Sequence, residues 1–220
     1  MKGPTITPDQ AHSLLETPFL RVADLQYAQG RHYYVATRRP LDQLAAVRPE
    51  EEFLRLPPDA ATCIVILRTP SQEPRLLLMR EYRYPAGRFL LSPPAGLMDP
   101  EDLETDQPAL TTALREIREE TGISAAPSRL ELVSPLLFSS PGMTDESNAL
   151  VLAVYDLPDL SQLNQNGAVG SECFDGFRLL TRKEAAEVLR RGRDEEEHFY
   201  SIFTWAALTW FVSGLWEPDA

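Results

Sequence analysis

Cysteine and basic residues are scarce in this sequence, and each shortage excludes a class of protein. Only two cysteines occur, Cys63 inside an apolar run and Cys173 far from it, and neither has a spaced partner. That argues against a disulfide framework and against a cysteine-built zinc site, and both residues read as free thiols in a reducing compartment. Lys and Arg number 21 against 33 Asp and Glu, for a formal net charge of −12. A chain of that sign does not suit a nucleic-acid backbone or an anionic membrane, so any phosphate must be met by a few local basic residues. The opening residues, Met1 to Pro8, lack the apolar core of a signal peptide. The long apolar run from His198 to Trp216 is broken by Ser201, Thr204, Thr209, Ser213 and Gly214, has no basic residue at its immediate borders and follows Glu195, Glu196 and Glu197. It reads as a helix buried in the core or at a subunit interface rather than a membrane span. A cytoplasmic protein without internal repeats is expected.

What is present suffices for one good core: 220 residues, 43% of them hydrophobic. Residues 1–16 hold Pro4, Pro8 and a short candidate helix at Pro8 to Glu16. Phe19 to Tyr27 and Arg31 to Thr37 are β-prone runs separated by Ala-Gln-Gly, which predicts a hairpin, and Leu41 to Leu56 is polar and acidic with scattered leucines. From Ala60 short apolar runs take over, at Thr62 to Leu67, Leu76 to Arg80, Leu130 to Phe138, Ala149 to Tyr155 and Phe174 to Leu180, with a polar loop at Ser161 to Gly170. Thr181 with Glu184 makes a capping box that starts a helix reaching to about Arg190. Strands, an inserted helix, more strands and terminal helices predict a layered α/β sandwich.

The stretch from Ser92 to Ile123 carries the chemistry. Its second half predicts a helix, with Asp106 as the cap, Pro108 in the first turn and Gly122 as the left-handed stop. Leu110, Leu114 and Ile117 fall on one side as a core stripe, and Glu116, Glu119 and Glu120 share an arc of about 100° beside it. Carboxylates at such spacing repel one another, and Glu119 and Glu120 also face an unfavourable helix dipole. Arg115 and Arg118 offset part of this. A solvated charged helix face is the competing account, and a bound hard divalent cation is the simplest explanation for the remainder.

The order Pro-Ala-Gly-Leu-Met-Asp, then Arg-Glu-Ile-Arg-Glu-Glu-Thr-Gly-Ile, with Met-Arg-Glu-Tyr-Arg-Tyr-Pro upstream, resembles the Nudix hydrolases, and among them the ADP-ribose pyrophosphatases. Positions 115 to 123 match every specified place in the second half of the Nudix box. The first half departs from it: five extra residues lie between Asp99 and Asp106, so Asp102, Glu104 or Gln107 must replace a glutamate that in the family braces the loop against the box's arginine. Ser92 also stands where relatives with Glu-x-Pro-Ala-Gly carry a carboxylate.

The resemblance implies a Nudix α/β/α sandwich with a mixed sheet over residues 57–220, preceded by a small antiparallel β unit over 1–56 that pairs subunits into a homodimer. It implies Mg²⁺ or Mn²⁺ held by Glu116, Glu119, Glu120 and the Ala95 carbonyl, with Gly96 allowing close approach. Ser-Ser-Pro-Gly-Met-Thr-Asp-Glu at 139–146 resembles the family loop that supplies a catalytic glutamate. Glu146 is that residue, with Glu119 as the second catalytic carboxylate and Asp145 as the rival to Glu146. Arg83 matches a diphosphate-contacting arginine; for it, and for the weaker candidate Arg80, a surface ion pair is the alternative. Two functions follow: hydrolysis of a nucleoside diphosphate sugar, ADP-ribose foremost, or nucleotide binding without catalysis by a Nudix-fold sensor or scaffold.

Overall fold

A computed structural model describes residues 3–167, 170 and 172–218. The chain forms two compact units, one containing residues up to 59 together with 136–148, the other containing 60–135 and the residues from 149 onward.

In the first unit, β1 (Ala11–Glu16), β2 (Arg21–Ala28) and β3 (Arg31–Thr37) form an antiparallel sheet in that order. The expected hairpin is β2–β3, closed by Gln29-Gly30, where Gly30 takes a φ of +64° that an L side chain resists. The helix expected at Pro8 to Glu16 is replaced by a 3₁₀ turn and then β1. Ala11, His12 and Ser13 pair with Leu25, Asp24 and Ala23. A helix that short is marginal, whereas the ladder satisfies its backbone. Ala23, Leu25 and Val35 bury against Leu44 and Val47, so the scattered leucines after position 40 cover this sheet; α1 (Glu50–Phe53) follows. Leu14, Phe19 and Tyr34 stay exposed.

The second unit is built on a sheet of order β10-β5-β4-β9-β8, with β6 added to β5 and β7 to β4. These strands are β4 (Ala60–Thr69), β5 (Gln72–Arg83), β6 (Arg88–Ser92), β7 (Ala95–Leu97), β8 (Arg129–Phe138), β9 (Ser147–Asp156) and β10 (Phe174–Leu180). The adjoining ends of β8 and β9 fall within 136–148. β4 and β9 are buried almost throughout, as strands covered on both faces must be. Alternate residues Ala61, Cys63 and Val65 of β4, Leu77 and Met79 of β5, and Val151 and Ala153 of β9 pack with Ala113 and Ile117 of the helix α3 (Pro108–Thr121). Each such aliphatic side chain contributes roughly 1.5–3 kcal/mol on full burial. The helices α4 (Arg182–Arg191) and α5 (Ile202–Ser213) also pack on this sheet, completing an α/β/α sandwich.

α4 begins at the predicted capping box, with Glu184 accepting the Thr181 amide at 2.8 Å and Thr181 Oγ1 accepting the Glu184 amide at 3.2 Å. α5 occupies only the middle of the apolar tail, between Ser201 and the left-handed Gly214. Among the described residues no helix is long and apolar enough to cross a membrane.

Two details of α3 differ from expectation. Its N-cap is Gln107, whose carbonyl accepts the amides of Leu110 and Thr111, not Asp106. Leu114 is 37% exposed, while the buried arc holds Thr112, Ala113, Glu116, Ile117 and Glu120. The helix is turned this way because β7 and the short helix α2 (Pro100–Leu103) press on the side that carries the two glutamates. The five extra residues lie around α2. Gly122, at φ +76°, ends α3 as predicted.

Candidate active site

The Pro-Pro-Ala-Gly segment is drawn onto the sheet by one hydrogen bond and a three-residue ladder. The Cys63 amide donates to the Pro94 carbonyl at 2.8 Å, and Ala95, Gly96 and Leu97 pair with Thr62, Ala61 and Ala60. Directly paired antiparallel residues share a face, so Gly96 shares the α3-facing side of Ala61. There a Cβ on Gly96 would lie 1.8 Å from Glu116 Oε1. The missing side chain is the space that the Glu116 carboxylate fills. One turn on, Glu120 Oε2 accepts the Ala95 amide at 3.0 Å. Glu116 is 5% exposed and Glu120 3%. Burial, opposed by Arg115, pushes the Glu116 carboxyl up to about 7; burial and then the Glu116 charge push Glu120 well above the usual carboxylate range.

Arg115 organises the edge of this cradle. Its Nη1 donates to Glu116 Oε1 at 2.8 Å and to Glu119 Oε2 at 3.2 Å, and its Nη2 to the Leu97 carbonyl at 2.9 Å and Asp102 Oδ2 at 2.9 Å. Asp102 also accepts from Thr112 Oγ1 at 2.9 Å and from the Asp99 amide at 3.1 Å. Of the three substitutes considered for the missing box glutamate, Asp102 is therefore the one that braces the arginine. Burial alone would raise its carboxyl, but Arg115 and the other donors hold it below the usual range.

Glu81 and Arg83 lie on the α3-facing side of β5, two and four residues beyond Met79. Arg83 Nη2 pairs with Glu81 Oε2 at 2.6 Å, and its side chain is about half exposed. Arg80 points the other way, to the Asp175 carbonyl at 2.6 Å and Glu196 at 2.7 Å, the surface ion pair foreseen as its alternative. Two further acids carry no role in the motif reading. Glu81 is partly buried and hydrogen-bonded by Ser92, and its charge acts on Glu120. The Glu172 charge acts on Glu81, Glu116 and Glu120. Alternation along Met79, Glu81 and Arg83 was a sequence signal for the first; for Glu172 the sequence holds none.

Glu146 and Asp145 belong to the first unit, where their environments diverge. Asp145 is buried, accepts the Ala45 amide at 3.0 Å and lies 3.7 Å from Arg39 Nε. Arg39 Nη2 also reaches Asp59 at 2.7 Å and Ser147 Oγ at 3.1 Å. The Glu146 side chain is a third exposed, and its carboxylate pairs with Arg38 Nε at 2.9 Å. Asp145 is thus bound into a clamp, and Glu146 is the accessible acid of the loop.

The donors gathered at β7 and α3 are carboxylate and carbonyl oxygens, the set that suits Mg²⁺ or Mn²⁺, and the Gly96 cradle gives one of them room at the backbone. Among the described residues no three acidic, imidazole or thiol groups already converge in ligating geometry; Glu116 and Glu119 are drawn to Arg115 instead.

A family model for the NUDIX domain matches residues 57–203, and the chain belongs to the Nudix hydrolase family. It is 36% identical over 111 residues to the putative nudix hydrolase 2 of Caenorhabditis elegans, covering 50% of this chain and 46% of that protein. It is 34% identical over 124 residues to the ADP-ribose pyrophosphatase of Saccharomyces cerevisiae, covering 53% and 49%. The chain spans about half the length of these curated relatives. A crystal structure of an ADP compounds hydrolase superposes with a TM-score of 0.57 at 17% identity, over 100% of this chain and 96% of that one, a likeness of fold.

Proposed function

We propose that the protein hydrolyses the diphosphate bond of a nucleoside diphosphate sugar, ADP-ribose foremost, to AMP and ribose 5-phosphate. The observation that carries this reading is the Gly96 cradle filled by Glu116, with Glu120 on the Ala95 amide, since it joins both halves of the motif in one oxygen-lined site. Glu116, Glu119, Glu120 and the Ala95 carbonyl would hold Mg²⁺ or Mn²⁺. When bound, such an ion would offset the diphosphate charge and lower the pKa of the attacking water. Arg83 presents a planar pair of donors to the diphosphate oxygens. Glu146 takes the proton of the attacking water as general base, and Glu119, the least buried of the three α3 acids, is the second catalytic carboxylate. The assignment of Glu146 is supported by its accessibility beside the clamped Asp145.

Incubation with ADP-ribose and Mg²⁺, followed by chromatography, is expected to yield AMP and ribose 5-phosphate in equal amounts. Binding of ADP-ribose without product would favour a non-catalytic nucleotide-binding module. A panel of nucleotide sugars and dinucleotides, ranked by kcat/KM, decides the preferred substrate.

The proposal includes a division of labour between a dimerisation region, 1–56, and the Nudix hydrolase domain, 57–220, in a cytoplasmic homodimer. The free thiols of Cys63 and Cys173 support a reducing compartment. Exposed Leu14, Phe19 and Tyr34 support the pairing, because a small sheet with an uncovered apolar surface gains from a symmetric partner. Light scattering is expected to report a dimer for the full chain and a monomer for Phe19→Asp. A monomeric wild type defeats the pairing.

A further inference from the structure

We infer that Glu81 is a positioning carboxylate of the cation site, delivered from β5 to the acidic face of α3 and held there by Ser92 and Arg83. The inference rests on the proposed site of Glu116, Glu119 and Glu120. Its basis is the strand register. Ser92 of β6 pairs with Met79 of β5, and Leu90 with Glu81, so Met79, Glu81 and Ser92 share one face. That face is the one packed on α3, because Met79 lies in the core cluster with Ala113 and Ile117. Ser92 is buried and hydrogen-bonds the Glu81 carboxyl, and Arg83 grips its other side at 2.6 Å. The side chain is therefore fixed, and the Glu81 charge reaches Glu120.

A carboxylate at this place works against the fold. Glutamine has the same shape and would take the same hydrogen bond from Ser92 without repelling Glu120, so the acid's one advantage is its charge. Arg83 is about half exposed and neutralises it only in part. Together Glu81, Asp102, Glu116, Glu119 and Glu120 set five carboxylates against the two guanidiniums of Arg83 and Arg115. A divalent cation offsets most of that surplus, with Glu81 strengthening the field and orienting Glu120 and Arg83 from behind.

The test is Mn²⁺ affinity of the full-length protein, read by electron paramagnetic resonance at constant ionic strength, with melting temperature measured without metal as the control for folding. Glu81→Gln is expected to weaken Mn²⁺ binding by about tenfold, the lower end for groups that support metal ligands, without lowering the metal-free melting temperature. The double variant Glu81→Gln/Ser92→Glu, which returns a carboxylate to the same face from the neighbouring strand, is expected to recover most of the affinity. Glu120→Gln serves as the reference and is expected to lose more. If Glu81→Gln stays within about twofold of wild type while Glu120→Gln loses binding, the role of Glu81 is overturned and the cation site stands. A double variant no better than Glu81→Gln also overturns it, since charge on that face would then not be what matters. Wild-type affinity in both Glu81→Gln and Glu120→Gln overturns the cation site itself.

Discussion

Two clusters of buried charge, one in each unit, invite comparison because both are organised by a single arginine. Around Arg39 the acids Asp59 and Asp145 each take a backbone amide: Asp59 accepts the Ser147 amide at 2.9 Å, Asp145 accepts the Ala45 amide at 3.0 Å, and the guanidinium bridges Asp59 and Ser147. Around Arg115 the acids outnumber the cations, and Glu120 has an amide but no arginine of its own among the contacts described. A cluster whose two acids share one guanidinium and each take a backbone amide is a clamp that sets the path of a loop. One with surplus carboxylate beside a missing Cβ suits the cation site we propose.

The comparison breaks most sharply at adjacent residues of one loop. Glu146→Gln is expected to lower kcat by roughly 10²- to 10⁴-fold with a much smaller change in KM, the range for a lost general base. Asp145→Asn is expected to keep kcat near wild type at temperatures well below its melting point, and to reduce stability by about 1–3 kcal/mol through the weakened clamp. Steady-state kinetics with paired thermal melts check both. A crippled Asp145→Asn beside a mild Glu146→Gln would reverse their roles.

In the second cluster, Glu116→Gln and Glu120→Gln should each cost on the order of 10²-fold or more in kcat while the fold persists. Near-normal kcat in both at saturating Mg²⁺ sinks the assignment. Gly96→Ala sharpens the point without touching an acid: its Cβ must displace the Glu116 carboxylate, and a shift of that size is expected to cost on the order of 10²-fold in kcat. Unchanged kinetics would mean that the cradle is incidental. The smallest effect lies at the helix starts. Asp106→Ala is expected to change stability by under about 0.5 kcal/mol, because Gln107 holds the cap position, whereas Thr181→Ala should cost about 1 kcal/mol. Chemical denaturation of the two variants distinguishes them.

Features governed by local rules were legible along the chain. The β2–β3 hairpin, the apolar strands, the Thr181 capping box and the left-handed stop at Gly122 follow from alternation, turn chemistry and caps, which act within a few residues. The identities of Glu116, Glu119 and Glu120 were legible for the same reason, as an unfavourable charge pattern on one helix arc. The remaining features depended on which distant segment packed against each one. Pro8 to Glu16 gave up helix because β2 offered a ladder, and Leu114 stayed half exposed because β7 and α2 press on the arc of Glu116 and Glu120 instead. Asp102 took the bracing role because α2 places it beside Thr112 and Arg115, a choice among three acids and amides that spacing left open. Alternation from Met79 marks the side of β5 on which Glu81 lies, but that this side meets Ser92 of β6 and the acidic face of α3 was decided by strand pairing and packing between distant segments.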